Sequence, residues 1–128
     1  MKHIQVTIIE ARSERILTSE SANSILLHLV STIGMQKARR NSLVTTYPPH
    51  GKSRGGVGLT AFLPFTESAM LLDTYSKQNY LVLIVASCKN FDSEKLKQEF
   101  GKLIESSWIK IKTLSLTRLP EDLLAGVN

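Results

Sequence analysis

The sequence predicts an α+β fold, a single-domain two-layer sandwich in which a mainly antiparallel sheet carries two helices on one face. Three observations lead there. Short runs alternate β-branched or apolar residues with polar ones, as half-buried strands do. Two other segments repeat apolar residues at helical spacing. Between residues 39 and 88 the strand patterns follow one another with no helix between them, and short connections join strands antiparallel. At 128 residues the chain suits one domain, 1–128, large enough to bury a core without cross-links.

Each element has its own signal. Residues 2–9 set Ile4, Val6 and Ile8 on one side of a first strand, and Arg12 to Thr18 is polar connection. Ser19 or Ser21 is the expected cap of a helix carrying Ile25, Leu26, Leu29, Val30 and Ile33, and Gly34 ends it. Residues 39–47 read as a second strand, at an edge because it starts with basic residues. The Pro- and Gly-rich segment after Tyr47 is a loop. Residues 58–65 form a third strand, with Pro64 confining that end to an edge or a bend. Residues 68–75 make a fourth strand, and Tyr80 to Cys88 a fifth, apolar enough to be central. Asp92 or Ser93 opens a second helix with an apolar stripe of Leu96, Phe100, Leu103 and Ile104. Trp108 to Leu116 alternates apolar residues with Lys and predicts a half-exposed last strand.

Composition excludes several classes. The hydrophobic fraction of 42% is ordinary for a soluble globular protein. One cysteine rules out an internal disulfide framework and a Cys-rich zinc pattern, so a reducing, cytoplasmic setting is expected. The first apolar run is too short for a secretory signal, and no stretch approaches the roughly 18 apolar residues of a membrane span. The net charge of +5 comes partly from Lys37, Arg39, Arg40, Lys52 and Arg54, which read as a solvated edge and loop. With Tyr47 the one aromatic near them, a base-stacking platform is not evident and nucleic acid is not an expected partner.

Several motifs fail on inspection. Gly51-Lys52-Ser53 suggests a phosphate loop, but Thr46 stands where its first glycine is required. His3, His28 and His50 lack metal-ligand spacing, and no G-x-S-x-G nucleophile elbow is present. Cys88 has two readings: a buried small hydrophobe, or an accessible thiol acidified by Lys89.

Spacing along residues 58–89 carries more than any single residue. Gly58-Leu59-Thr60-Ala61 lies on a strand, Glu67-Ser68 opens the next, and Asp73-Thr74, Asn79-Tyr80 and Cys88-Lys89 follow. This stretch resembles the bacterial and archaeal S-adenosylmethionine decarboxylase proenzymes, the short single-domain form. There the same places hold Gly-x-Ser-Gly, Glu-Ser-His-Ile-Ser-Ile-His-Thr-Trp-Pro-Glu, Gly-Tyr and an apolar strand ending in Cys-Gly, with no gap between the two. The opening strand and the final helix and strand suit the family as well.

The resemblance implies a chemistry. The chain would cut itself between Glu67 and Ser68, and Ser68 would become a pyruvoyl group that draws electrons from the substrate's breaking carboxylate bond. Cys88 would donate a proton and Thr60 would assist processing. Asp73 stands at the histidine that assists processing, and an aspartate is a weaker base than imidazole. Lys77 stands at the glutamate that holds the ribose hydroxyls, and it has no acceptor to offer. Thr7 occupies the place of an early-strand glutamate, with Glu10 three residues on, and Tyr47 is the nearest candidate to stack on adenine. The implied activity belongs to spermidine and polyamine biosynthesis, with S-adenosylmethionine or another amino acid as substrate and a homodimer as the assembly. A chain that no longer cuts itself and serves as a binding or regulatory subunit is the alternative.

Overall fold

The computed structural model describes residues 3–36, 38, 41–47, 58–66 and 68–117, with the side chains of residues 3, 47 and 117 excepted. Six strands form one antiparallel sheet: β1 His3–Arg12, β2 Leu43–Tyr47, β3 Gly58–Phe65, β4 Ser68–Tyr75, β5 Tyr80–Ser87 and β6 Trp108–Thr117. Helices α1 Ser19–Thr32 and α2 Ser93–Ile104 complete the domain. The strand order is β2-β3-β4-β5-β1-β6, which puts β5 inside the sheet and β2 at an edge, as expected.

Burial explains the layering. Along β3 the odd positions Leu59, Ala61, Leu63 and Phe65 are buried, and along β4 Met70, Leu72 and Thr74 are. Leu81, Leu83, Val85 and Ser87 do the same on β5. These residues meet α1 and α2, whose buried residues Leu26, Leu29, Phe100 and Ile104 fill one core. Burying a side chain of that size contributes about 1.5–3 kcal/mol, so the helices are held by this single face. Among the described residues, no helix lies on the opposite face. Leu43, Phe62, Leu114 and Leu116 on that side are exposed.

Element ends follow local chemistry. Thr18, rather than Ser19 or Ser21, caps α1: its hydroxyl accepts from the Ser21 amide while the Ser21 hydroxyl accepts from the Thr18 amide. The reciprocal box needs an extended residue three places before Ser21, and Thr18 has that conformation. After α1, Gly34 takes φ 73°, which glycine adopts without penalty. Asp92 caps α2 by accepting from the Lys95 amide. The buried Gln5 fixes the entry to that helix, exchanging two hydrogen bonds of 3.1 Å with the backbone of Phe91.

Three details refine the expected strands. β2 is described only from Leu43, and Arg39 and Arg40 lie outside the described residues. Pro64 sits beyond the last β2 partner of β3, and there the chain after α1 covers the edge. Ala38 donates to the Pro64 carbonyl and Thr66 to that of Gln36. In β6 the second half is exposed on both sides, because Thr113 and Ser115 face the helix side yet lie past the helix layer. Gly58 has a steric requirement as well: a Cβ there would come within 2.4 Å of the Thr74 carbonyl oxygen.

Candidate functional site

Ser68 is the first residue of β4 and pairs with Phe65, so only positions 66 and 67 connect the two strands. Glu67, the residue before the implied cut, lies outside the described residues. On its other side Ser68 pairs with Ser87 at the end of β5. The Ser68 hydroxyl donates to Ser87 Oγ at 2.6 Å. Ser87 is 1% exposed and accepts a second hydrogen bond, 3.0 Å, from the Lys89 amide. Met35, held at the end of α1, places its sulfur 3.9 Å from Ser68 Oγ and 3.7 Å from Ser87 Oγ. Cys88 follows immediately, half-buried and outside any disulfide. An open hollow of about 320 Å³ lined by Gly34, Met35, Gln36, Thr66 and Lys89 borders this group.

A second cluster occupies the helix-free face. Asp73 accepts from the Thr60 hydroxyl at 2.8 Å on one carboxylate oxygen and from the Tyr75 hydroxyl at 2.6 Å on the other. Tyr75 pairs with Tyr80, their ring centres 5.7 Å apart. Tyr80 in turn donates to Glu10 at 2.7 Å. Burial pushes the Tyr80 phenol from 10.0 up to about 12, and the Glu10 carboxylate that accepts its proton adds to the rise.

The two clusters do not meet within one chain. Ser68 and Asp73 are an odd number of residues apart on β4, so their side chains leave opposite faces of the sheet. Five steps along the strand also separate them by roughly 17 Å. Thr60 goes with Asp73, its direct partner on β3. Ser68 and Cys88 are thus brought to one end of the sheet, and Thr60 and Asp73 to the other end and face. Lys77 is exposed in the 3-10 turn Ser76–Gln78, away from Ser68. Tyr47 ends β2, with its side chain outside the described residues. Lys37, Lys52 and Arg54 lie outside them too. Thr7 is buried on the helix side against Thr113, whereas Glu10 presents its carboxylate on the open face. His28 is exposed and pairs with Glu99 at 3.3 Å, and no metal-ligand group occurs among the described residues. No described helix is long and apolar enough to cross a membrane.

No protein-family model matches the chain, and no curated protein matches it in sequence. The architecture is another matter. It superposes on the crystal structure of the adenosylmethionine decarboxylase from Aquifex aeolicus VF5 with a TM-score of 0.71 over 94% of each chain. The chain has the adenosylmethionine decarboxylase fold. Sequence identity to that structure is 12%, so the likeness is one of fold.

Within this fold, residues 58–89 form two hairpins rather than a string of motifs. At the turn into β5, Asn79 adopts φ 51°, a left-handed conformation asparagine tolerates better than most residues. Ser87, Met35 and Tyr75 were not among the residues singled out from sequence, and Tyr80 entered only as part of the Asn79-Tyr80 pair, with no role given to it. Ser87 and Tyr80 were nonetheless reachable by counting register back from the β4–β5 turn. Tyr80 is expected to titrate near pH 12 in an ultraviolet absorbance titration, its signal assigned by its loss in Tyr80→Phe. Glu10→Gln should lower that value without returning it to 10.0, since burial is the larger cause. Because the fold favours the protonated phenol, Tyr80 contributes stability fully present below pH 10.0 and lost as pH rises to about 12. A Tyr80 that ionises near 10.0, or that ignores Glu10→Gln, contradicts the assignment.

Proposed function

We propose that this protein is a divergent self-processing decarboxylase of the pyruvoyl type, acting on S-adenosylmethionine or a related amino acid. One observation carries the reading: in this fold, a serine at the mouth of a two-residue turn has its hydroxyl held by a buried partner, with a thiol-bearing residue next to that partner.

The chemistry at that turn balances without a co-reactant other than water. Ser68 Oγ bonds to the carbonyl carbon of Glu67, the bond to the Ser68 nitrogen breaks, and the hydroxyl proton passes to that nitrogen. Elimination of the resulting ester and hydrolysis leave a carboxylate at Glu67 and a ketone at position 68, with water consumed and ammonia released. The residues present fit such a group: Ser87 and Met35 hold the Ser68 hydroxyl, and Cys88 follows Ser87 in the chain. When formed, the pyruvoyl group supplies the electron sink for loss of carbon dioxide. Cys88 holds a proton to return to the substrate carbon, while Gln36, Thr66 and Lys89 offer polar contacts in the adjoining hollow.

A homodimer covering the open face is part of the same reading. Its support is the apolar side chains exposed on that face at both edges of the sheet, Leu43 and Phe62 on β2 and β3 and Leu114 and Leu116 on β6. Sedimentation is expected to give twice the 14.2 kDa chain mass, reverting toward one chain in Phe62→Lys. A wild-type monomer contradicts it.

The separation of Asp73 from Ser68, with both Asp73 oxygens already engaged, favours a second reading: an uncut chain serving as a binding subunit. Carbon dioxide release separates the two. The first reading expects labelled carbon dioxide from S-adenosylmethionine or from a basic amino acid, and none from Ser68→Ala. Release from neither substrate favours the second reading. Equal release by Ser68→Ala sinks the role given to Ser68.

A further inference from the structure

We infer that Ser87 is the residue that positions the Ser68 hydroxyl for attack on its own preceding carbonyl. The inference rests on the self-processing reading and adds to it a residue that reading does not require.

A serine side chain in isolation has three staggered positions open to it. Only one arrangement at a time can bring Oγ toward the carbonyl behind it. Ser68 gains its restraint from across the sheet: it is the direct strand partner of Ser87, and their hydroxyl oxygens are 2.6 Å apart. That restraint is useful only if Ser87 is itself fixed, and it is. Ser87 is 1% exposed, on the same buried row as Leu83 and Val85. The Lys89 amide holds its oxygen at 3.0 Å, a local side-chain to backbone bond that leaves little rotation. Met35 closes the third side, 3.7 Å from Ser87 Oγ. With the Lys89 and Ser68 donors on its lone pairs, Ser87 Oγ is filled as an acceptor.

The role is positioning and not proton removal. A hydroxyl is no base at neutral pH, and the partners of Ser87 among the described residues are Ser68, Met35 and the Lys89 amide, none of them a carboxylate or imidazole. Donating its proton toward Ser87 leaves the Ser68 oxygen more electron-rich and its lone pairs clear for the carbonyl carbon. In the covalent step that proton goes to the departing nitrogen, as the balance above requires, and Ser87 keeps its own.

The expected loss is therefore modest. Ser87→Ala should slow self-cleavage by about tenfold, the change that one ordinary hydrogen bond sets. Ser87→Thr, which keeps the oxygen, should restore most of the rate. A role in folding alone would lower the unfolding temperature of Ser87→Ala without this pattern of rescue. An unchanged or faster rate in Ser87→Ala overturns the inference, as does failure of Ser87→Thr to recover when both variants are folded. A second measurement does not depend on cleavage: three-bond Hα–Hβ couplings of Ser68 in the intact chain. A single rotamer in wild type that becomes averaged in Ser87→Ala supports positioning even if the chain never cuts itself, in which case the self-processing reading is what fails. Averaged couplings in wild type overturn the positioning role outright.

Discussion

The two-residue period of an extended strand is the constraint on which this molecule turns. Along β4 it sends Ser68, Met70, Leu72 and Thr74 toward the helices, and Leu71, Asp73 and Tyr75 away from them. The first set helps to build the core. The second lies on a face that neither helix covers. Everything chemical in the protein is sorted by that division: a hydroxyl pair with a sulfur lid at one end of the sheet, and a carboxylate–tyrosine array at the other end and face. Because register pairs each strand with its neighbours, the sorting extends across all six strands.

Such an arrangement has a cost and a use. A sheet with one dry face and one partly apolar, uncovered face is stable alone only if the dry face carries enough burial, and here Phe100, Leu26, Leu29 and Leu83 do that. The uncovered face is then available for contact. Its polar groups are already satisfied: Asp73 by Thr60 and Tyr75, and Glu10 by Tyr80. Engaged carboxylates are cheaper to bury than bare ones, whereas Arg12, Lys110 and Lys112 share this face and must stay in water or be paired by whatever covers it.

Much of this was legible in the chain itself. The strands 58–65 and 68–75 are bounded by the residues that bound them in the structure, because turn residues flank clear alternation. The α2 stripe Leu96, Phe100, Ile104 is buried as its spacing required. The cap of α1 was missed by one residue, since a Thr18–Ser21 box looks in sequence like any cluster of hydroxyls. The overexposure of late β6 was not legible, because alternation says which residues share a face but not how far the covering layer extends. The site was read one residue at a time, and that is why it came out divided. Ser68, Asp73 and Cys88 are close in sequence, but only parity and register tell which of them are close in space. Counting back from the Tyr75–Tyr80 pair brings Ser68 onto Ser87, a hydroxyl that no motif marks.

The account stands or falls on what becomes of the bond before Ser68. Intact mass spectrometry of the purified chain after prolonged incubation is the direct measurement. The account predicts two fragments, 1–67 and 68–128, with the second lighter by one ammonia than simple hydrolysis would leave it. A chain that remains whole at 14.2 kDa, or a second fragment with an ordinary amino-terminal serine, would contradict it.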